Sequence, residues 1–339
     1  MSHKASLACA GAIAAAATLA GIGPALSHTI VGNRVFPATL DIDDPGVNDE
    51  LALPSFAYVA NPDNSNQFDY RFAWQKTITY DSSFTVGSAL THLVNTMRPN
   101  GNFGGVTGWQ NVETQLKWTP YQNAEHEFIV SVAGSAEWGN TGNASVGAEP
   151  FTALTAKGFV GKGFGDVEAE WLRPFAVTGE VDYTWSTHPI DVTGIDPDTG
   201  LVSIDRSPTV LTYGATIQYS LLYMNSFVHE VPEFFRNLIP DFEVVFSTPV
   251  SNIGPSEFGA IPGTHETTGT WGPGLYYLGR IGPIAFELGA VAQFPINHAS
   301  GRHPGVLAIL DFFLDDIFPD SLGKPLIGPR QARPSGTFY

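Results

Sequence analysis

Alternation dominates the chain after about residue 51. In Phe68-Asp69-Tyr70-Arg71-Phe72-Ala73-Trp74-Gln75-Lys76-Thr77-Ile78-Thr79-Tyr80 the even positions are apolar or aromatic except Lys76, and the odd ones are polar or small. Successive side chains of a strand point to opposite faces, so this segment predicts a strand with one oily face and one wet face. The same pattern recurs over 112–118, 128–138, 175–185, 211–221 and 286–294. Weaker copies near 52–60, 84–93, 151–160, 241–249, 268–280 and 304–314 bring the strands to about twelve.

The connections sort by length. Short ones at 81–83, 119–125, 161–169 and 281–283 alternate with longer ones at 94–108, 139–150, 186–208, 250–267 and 295–303. Bacterial outer-membrane barrels combine short periplasmic turns with longer outer loops, so the rhythm gives an orientation with both chain ends on the periplasmic side. The connection 224–240 is long on the short side, and Pro232 to Pro240 predicts one amphipathic turn of helix there. Trp109, Trp118, Trp138, Trp171, Trp185 and Trp271 fall at predicted strand ends and only Trp74 falls inside a strand. Girdles of aromatic residues at the two membrane interfaces produce that distribution. A secreted β-sandwich or lectin-like protein also has alternating strands. Its strands are shorter and its Trp residues sit mid-strand in the core, so the pattern favours an all-β, transmembrane, antiparallel up-and-down barrel.

Composition agrees with the pattern. Charged residues make up 14% of the chain against 43% hydrophobic, far too apolar for a disordered polypeptide. No mature stretch approaches the roughly 20 apolar residues of a membrane-spanning helix. Sixteen basic residues oppose 33 acidic ones, a net charge of −17, and without clustered cations nucleic acid is excluded as a partner. Residues 1–27 run from Lys4 through a small-apolar stretch to Gly23-Pro24-Ala25-Leu26-Ser27 and read as a secretory signal peptide that also contains Cys9. The mature chain then has no Cys and no disulfide. The organisation predicted is a signal peptide over 1–27, an acidic periplasmic segment over 28–50, a barrel over 51–318 and a periplasmic tail over 319–339.

If the oily faces meet lipid, the wet faces line a lumen. Its charges would be Asp69, Glu113, Glu127, Glu137, Glu180, Asp182, Glu243 and Glu287 against Arg71 and Lys117. An acidic lumen concentrates cations and disfavours anions. Twelve strands lie between the filled eight-stranded barrel and the open barrels of 16–18 strands, a size compatible with passage of small solutes. The alternative is that the inward charges pair across a filled barrel.

Three smaller patterns carry less. Residues 41–50 hold five acids around Pro45-Gly46, but only Asp41 and Asp43 show the alternate spacing of a calcium loop, so the segment reads as a solvated linker with no metal. Asp196-Pro197-Asp198-Thr199-Gly200 has the chemistry of a hairpin tip. His298-Ala299-Ser300-Gly301-Arg302 is similar to the His-x-Ser-Asn-Gly element of outer-membrane phospholipase and, more loosely, to the His-x-Ser-Asn of lipid A deacylase. That resemblance implies His298 as base and Ser300 as nucleophile of a lipid hydrolase. This chain lacks the Asn that follows Ser, and a nucleophile also needs a third group to orient its base.

Gly161-Lys162-Gly163-Phe164-Gly165-Asp166-Val167 is similar to the Gly-Leu-Gly-Asp-Leu element of the outer-membrane barrel family named after the meta pathway of phenol degradation. The resemblance implies small-molecule passage. Taken together these features predict a barrel in the bacterial outer membrane, with outer-membrane lipids, the barrel-assembly machinery and a small solute as partners and no cofactor. It would admit small cationic or neutral solutes, or else act through its outer loops. An intact barrel resists detergent until heated, so unheated protein is expected to migrate faster than boiled protein in a detergent gel; equal mobilities would remove the barrel.

Overall fold

The computed structural model describes residues 29–97, 103–195, 202–252 and 266–328. The signal peptide, the Asp196–Gly200 tip and the end of the tail lie outside the described residues. Twelve antiparallel staves follow one another round the wall. They are β3 (Glu50–Ala60), β4 (Asn66–Thr79), β5 (Ser82–Met97), the pair β6 (Phe103–Trp109) and β7 (Val112–Asn123), β8 (Phe128–Trp138), β9 (Ala153–Gly163), β10 (Phe175–Ser186), β13 (Thr209–Tyr219), β14 (Leu238–Ser251), β15 (Thr268–Ile281), β16 (Ile284–Pro295) and β17 (Gly305–Phe313). Both β6 and β7 pair with β5, so they form one stave broken at Gln110-Asn111. Pairing of β17 with β3 closes the barrel. The loop between β10 and β13 rises as a separate hairpin of β11 (Ile190–Ile195) and β12 (Val202–Arg206).

Strand boundaries shift some of the predicted connections. The outer loop expected over 94–108 is largely strand, because β5 runs to Met97 and β6 begins at Phe103. The barrel ends at Phe313, and α2 (Leu314–Ile317) follows. The long connection on the short-turn side contains a 3-10 turn at Glu233–Phe235, as its composition suggested, and also α1 (Leu221–Phe227), whose N-terminus is capped by the Ser220 hydroxyl accepting from Tyr223 N–H at 3.0 Å. Leu221 had been read as the end of a strand.

The barrel is apolar outside and polar inside. Leu116 is 57% exposed and its neighbour Lys117 1%; Leu288 is 52% exposed and Glu287 0%. Tyr70, Val181, Tyr213, Ile217 and Leu275 join the outer belt, while Asp69, Thr178, Thr216, Gln218 and Glu243 are buried. A continuous apolar belt of this size requires lipid rather than water. No helix among the described residues is long and apolar enough to cross a membrane, so the crossing is made by the strands.

The acidic segment before β3 does not form a solvated linker. Residues 29–49 enter the barrel and fill part of its lumen: Val31, Arg34, Val35, Phe36, Asp44, Asn48 and Asp49 are all buried. A hairpin of β1 (Thr29–Val31) and β2 (Arg34–Phe36) starts this plug. It turns at Gly32, where φ is 61° and a Cβ would stand 2.0 Å from the Ala124 carbonyl oxygen, so no other residue fits. Val31 and Phe36 pack on Ile129 and Ala176, and Val35 joins a second cluster with Ile239, Tyr276, Leu278, Val291 and Phe313. Each such fully buried side chain contributes about 1.5–3 kcal/mol. The apolar residues of the segment are few and aperiodic, which is why its acids alone suggested solvent.

One ion pair fastens the hairpin. Arg34 Nε donates to Glu127 Oε2 at 3.1 Å, Nη1 to the Pro174 carbonyl at 3.0 Å and Nη2 to the Arg173 carbonyl, and the guanidinium lies 4.0 Å from the centre of the Tyr223 ring. Glu127 also accepts from Gly165 N–H at 3.0 Å. The glycine motif of 161–165 makes this clasp possible, since a Cβ at Gly163 would stand 2.2 Å from Glu127 Oε2 and 2.5 Å from Arg34 Nε. At the same end Lys76 departs from the outward pattern of its strand: its Nζ donates to Asp49 at 2.5 Å and to the carbonyls of Leu322 and Lys324, which docks the first part of the tail. Removing one partner of a buried pair strands the other charge, a loss of about 3–5 kcal/mol. Arg34→Met is therefore expected to lower the temperature at which the unheated gel mobility is lost and to open the plug to protease, and Arg34→Met/Glu127→Leu to recover part of that loss.

Candidate functional site

Among the described residues two cavities border the plug. The larger, about 760 Å³, lies between plug residues Ala38–Leu40 and the inward-folded loop at Val146-Gly147. That loop is held over the barrel mouth by Gln110 Nε2 donating to the Val146 carbonyl at 3.1 Å and Asn111 Nδ2 to the Glu149 carbonyl at 2.9 Å. The smaller, about 370 Å³, lies at the short-turn end beside Thr29, Ile30, Gly46, Tyr80, Asp81 and Trp118. Seven carboxylates face the larger cavity (Asp43, Asp44, Glu50, Asp69, Glu113, Glu137 and Asp311) against the cations Arg71 and Lys157, so its field favours positive charge.

The ten predicted lumen charges divide into three sets. Four are committed to the plug. Glu243 accepts from Asp41 N–H at 2.7 Å and from Leu40 N–H, Glu287 accepts from Ala38 N–H at 3.3 Å, and Lys117 pairs with Asp43 at 2.8 Å while donating to the Asp44 carbonyl. Glu127, which sits in the β7–β8 turn rather than in a strand, holds Arg34. A second set pairs within the wall or bridges to the plug: Lys157 bonds Glu180 at 3.4 Å and Asp182 at 3.2 Å, Glu180 also accepts from Asp43 N–H at 2.7 Å, and Asp69 accepts from Gln67, Thr91 and Arg71. The third set remains open to the cavity. Arg71 keeps a half-exposed side chain and Glu113 and Glu137 are exposed.

Several site residues escaped the sequence reading. Asp241 shares the inward parity of Glu243, and Lys157 and Asp311 lie inward in strands β9 and β17 whose alternation is weak. Parity counting along those strands would have found them. Asp43 and Asp44 could not be found that way, because they belong to the plug. Among the described residues no group of three or more His, Cys, Asp and Glu is placed to hold a metal ion.

The six tryptophans lie outside the lumen and all are at least 37% exposed. Trp138, Trp185 and Trp271 stand at the long-loop ends of β8, β10 and β15, Trp109 at the β6–β7 break, and Trp118 and Trp171 toward the short turns. Trp271 stacks between Phe242 and Phe294, at 5.8 and 4.8 Å between ring centres. The His298 and Ser300 pair is not assembled for catalysis. The Ser300 hydroxyl donates to Asn297 Oδ1 at 2.7 Å and accepts from Gly269 N–H at 2.9 Å, so it closes the turn, and His298 points to solvent.

No protein-family model matches the chain, and no curated protein matches its sequence. Among solved structures it is similar to an outer membrane channel from Pseudomonas putida F1, at 10% identity over 83% of this chain and 99% of that one, with a TM-score of 0.52. It is also similar to the NanC porin, at 8% identity over 78% of this chain and 98% of that one with a TM-score of 0.43. The KdgM porin aligns at 9% identity over 76% and 98%, with a TM-score of 0.41. What is shared at this identity is the fold, a bacterial outer-membrane β-barrel.

Seating of the plug favours the protonated form of one of its carboxyls. Burial and the neighbouring Glu243 carboxylate raise Asp41 from the ordinary carboxylate range to about 6, against which hydrogen bonds from Gln293 and Thr270 act. A carboxyl raised in the folded state binds more protons there than when released, so its contribution is full below about 4 and is lost as pH rises through about 6. Labelling of a cysteine introduced at Val31, taken as a ratio to that of an exposed reference cysteine at the same pH to remove the thiol's own titration, is expected to be slower at pH 4.5 than at pH 7.5, and Asp41→Asn to flatten the difference.

Proposed function

We propose that the protein is an outer-membrane channel for small solutes, with an acidic lumen that favours cationic and neutral ones. The single observation that carries this reading is the cavity of about 760 Å³ inside a twelve-stranded barrel, faced by seven carboxylates and two cations. The similarity of its glycine motif to the family of meta-pathway barrels supports the same reading. Insertion by the barrel-assembly machinery belongs to it as well. The plug restricts the path: it lies between the two cavities, and its apolar side chains pack on the wall. Conduction therefore requires the segment 29–49 to shift or solutes to skirt it. The filled lumen favours a second reading, a barrel that acts on partners through its outer loops.

Planar bilayers containing the full chain separate the two. Small cation currents exceeding anion currents are expected, and Arg34→Met/Lys117→Met, which removes two of the plug's polar anchors, should raise them. No current from either protein, with both running as intact barrels on unheated gels, would sink the channel and leave the surface role.

A further inference from the structure

Three of the charges facing the larger cavity are not used up by the plug or by the wall, and they are of opposite sign. Arg71 donates from Nη2 to Asp69 at 3.1 Å, and its side chain is 53% exposed. Its other guanidinium nitrogens have no partner among the described residues and face the cavity. Across the cavity wall stand Glu113 and Glu137, directly opposite each other in the β7–β8 register and both exposed. Like charges so placed repel. Among the described residues Glu137 accepts a hydrogen bond, from Asn111 Nδ2 at 3.0 Å, while Glu113 has no contact partner. Lys157, the other cation of the cavity, makes its contact ion pairs with Glu180 and Asp182 and attracts Glu113 only from beyond contact distance.

The register fixes their separation. Arg71 pairs with Ala89 on β5, and Gly87, two residues away on that strand, pairs with Glu113 on β7. Two strand spacings and a two-residue offset put the Arg71 and Glu113 Cα atoms roughly 10–12 Å apart. Two long side chains narrow that distance to a gap that a solute of a few carbons spans. One end of such a solute meets a planar fork of donors suited to a carboxylate. The other end meets two carboxylates in need of a cation.

Building on the channel reading above, we infer that the cavity selects small zwitterions, molecules of amino-acid type bearing an ammonium group and a carboxylate a few carbons apart. Arg71 holds the carboxylate, and Glu113 with Glu137 holds the ammonium group. A simple cation satisfies only the second contact, and a simple anion only the first against an acidic surround.

The test uses solutes with one carbon skeleton and different ends: 4-aminobutyrate, butylamine, butyrate and 1,4-butanediol. Flux into liposomes carrying the full chain and binding to the detergent-solubilised protein by ligand-observed NMR are measured side by side. Binding of 4-aminobutyrate is expected to exceed that of butylamine by about fivefold, the scale of one partly exposed ion pair. Arg71→Gln should bring the zwitterion-to-amine ratio near one, with Arg71→Lys restoring part of it. Glu113→Gln/Glu137→Gln should weaken both amines and leave 4-aminobutyrate no better than butyrate. Flux of all four solutes with no preference for the zwitterion overturns the inference and leaves the channel standing. Zwitterion binding without any flux leaves the site standing and overturns the channel. Neither binding nor flux overturns both.

Discussion

Most charged groups inside this barrel are shielded from water and take their partners from protein. That constraint ties the N-terminal segment to the wall. Glu243, Glu287 and Glu180 accept backbone N–H groups of residues 38–43, Lys117 takes Asp43 and the Asp44 carbonyl, and Arg34 takes Glu127. A carboxylate buried without such a donor costs several kcal/mol. The acids of the wall and the N–H groups of the plug therefore match one another.

The clasp around Arg34 shows how local sequence serves that constraint. Glycines at 163 and 165 bring the β9 end close enough for Glu127 to reach both the guanidinium and the Gly165 N–H. Burial and the Glu127 carboxylate hold the Tyr223 phenol up to about 12, so it stays a neutral donor beside the ion pair. Gly214 gives similar room to Ile42 of the plug, whose Cγ2 would stand 2.5 Å from a Cβ there. Small residues in the wall thus mark where the plug touches it.

Function follows from what this pairing leaves over. The charges that seat the plug cannot also serve a solute, so the acidity of the lumen overstates what is open to one. Arg71, Glu113 and Glu137 are the remainder, and they face a cavity between the plug and the loop at Val146. The net field there is negative, yet the one accessible guanidinium makes the surface two-signed.

The twelve strands and their inward and outward faces were legible in the sequence because lipid and lumen impose a period of two on every stave, and residues such as Leu116 and Lys117 record it directly. Residues 41–50 were not: five acids around Pro45-Gly46 have the same composition whether water or a barrel wall surrounds them. Their partners Lys117, Glu180, Lys76 and Glu243 lie 27 to 202 residues away in the chain. The sequence by itself determined the barrel, since alternation is a local property. Only the tertiary structure decided what fills the barrel and which charges remain free, because pairing across a lumen depends on distances that no local pattern encodes.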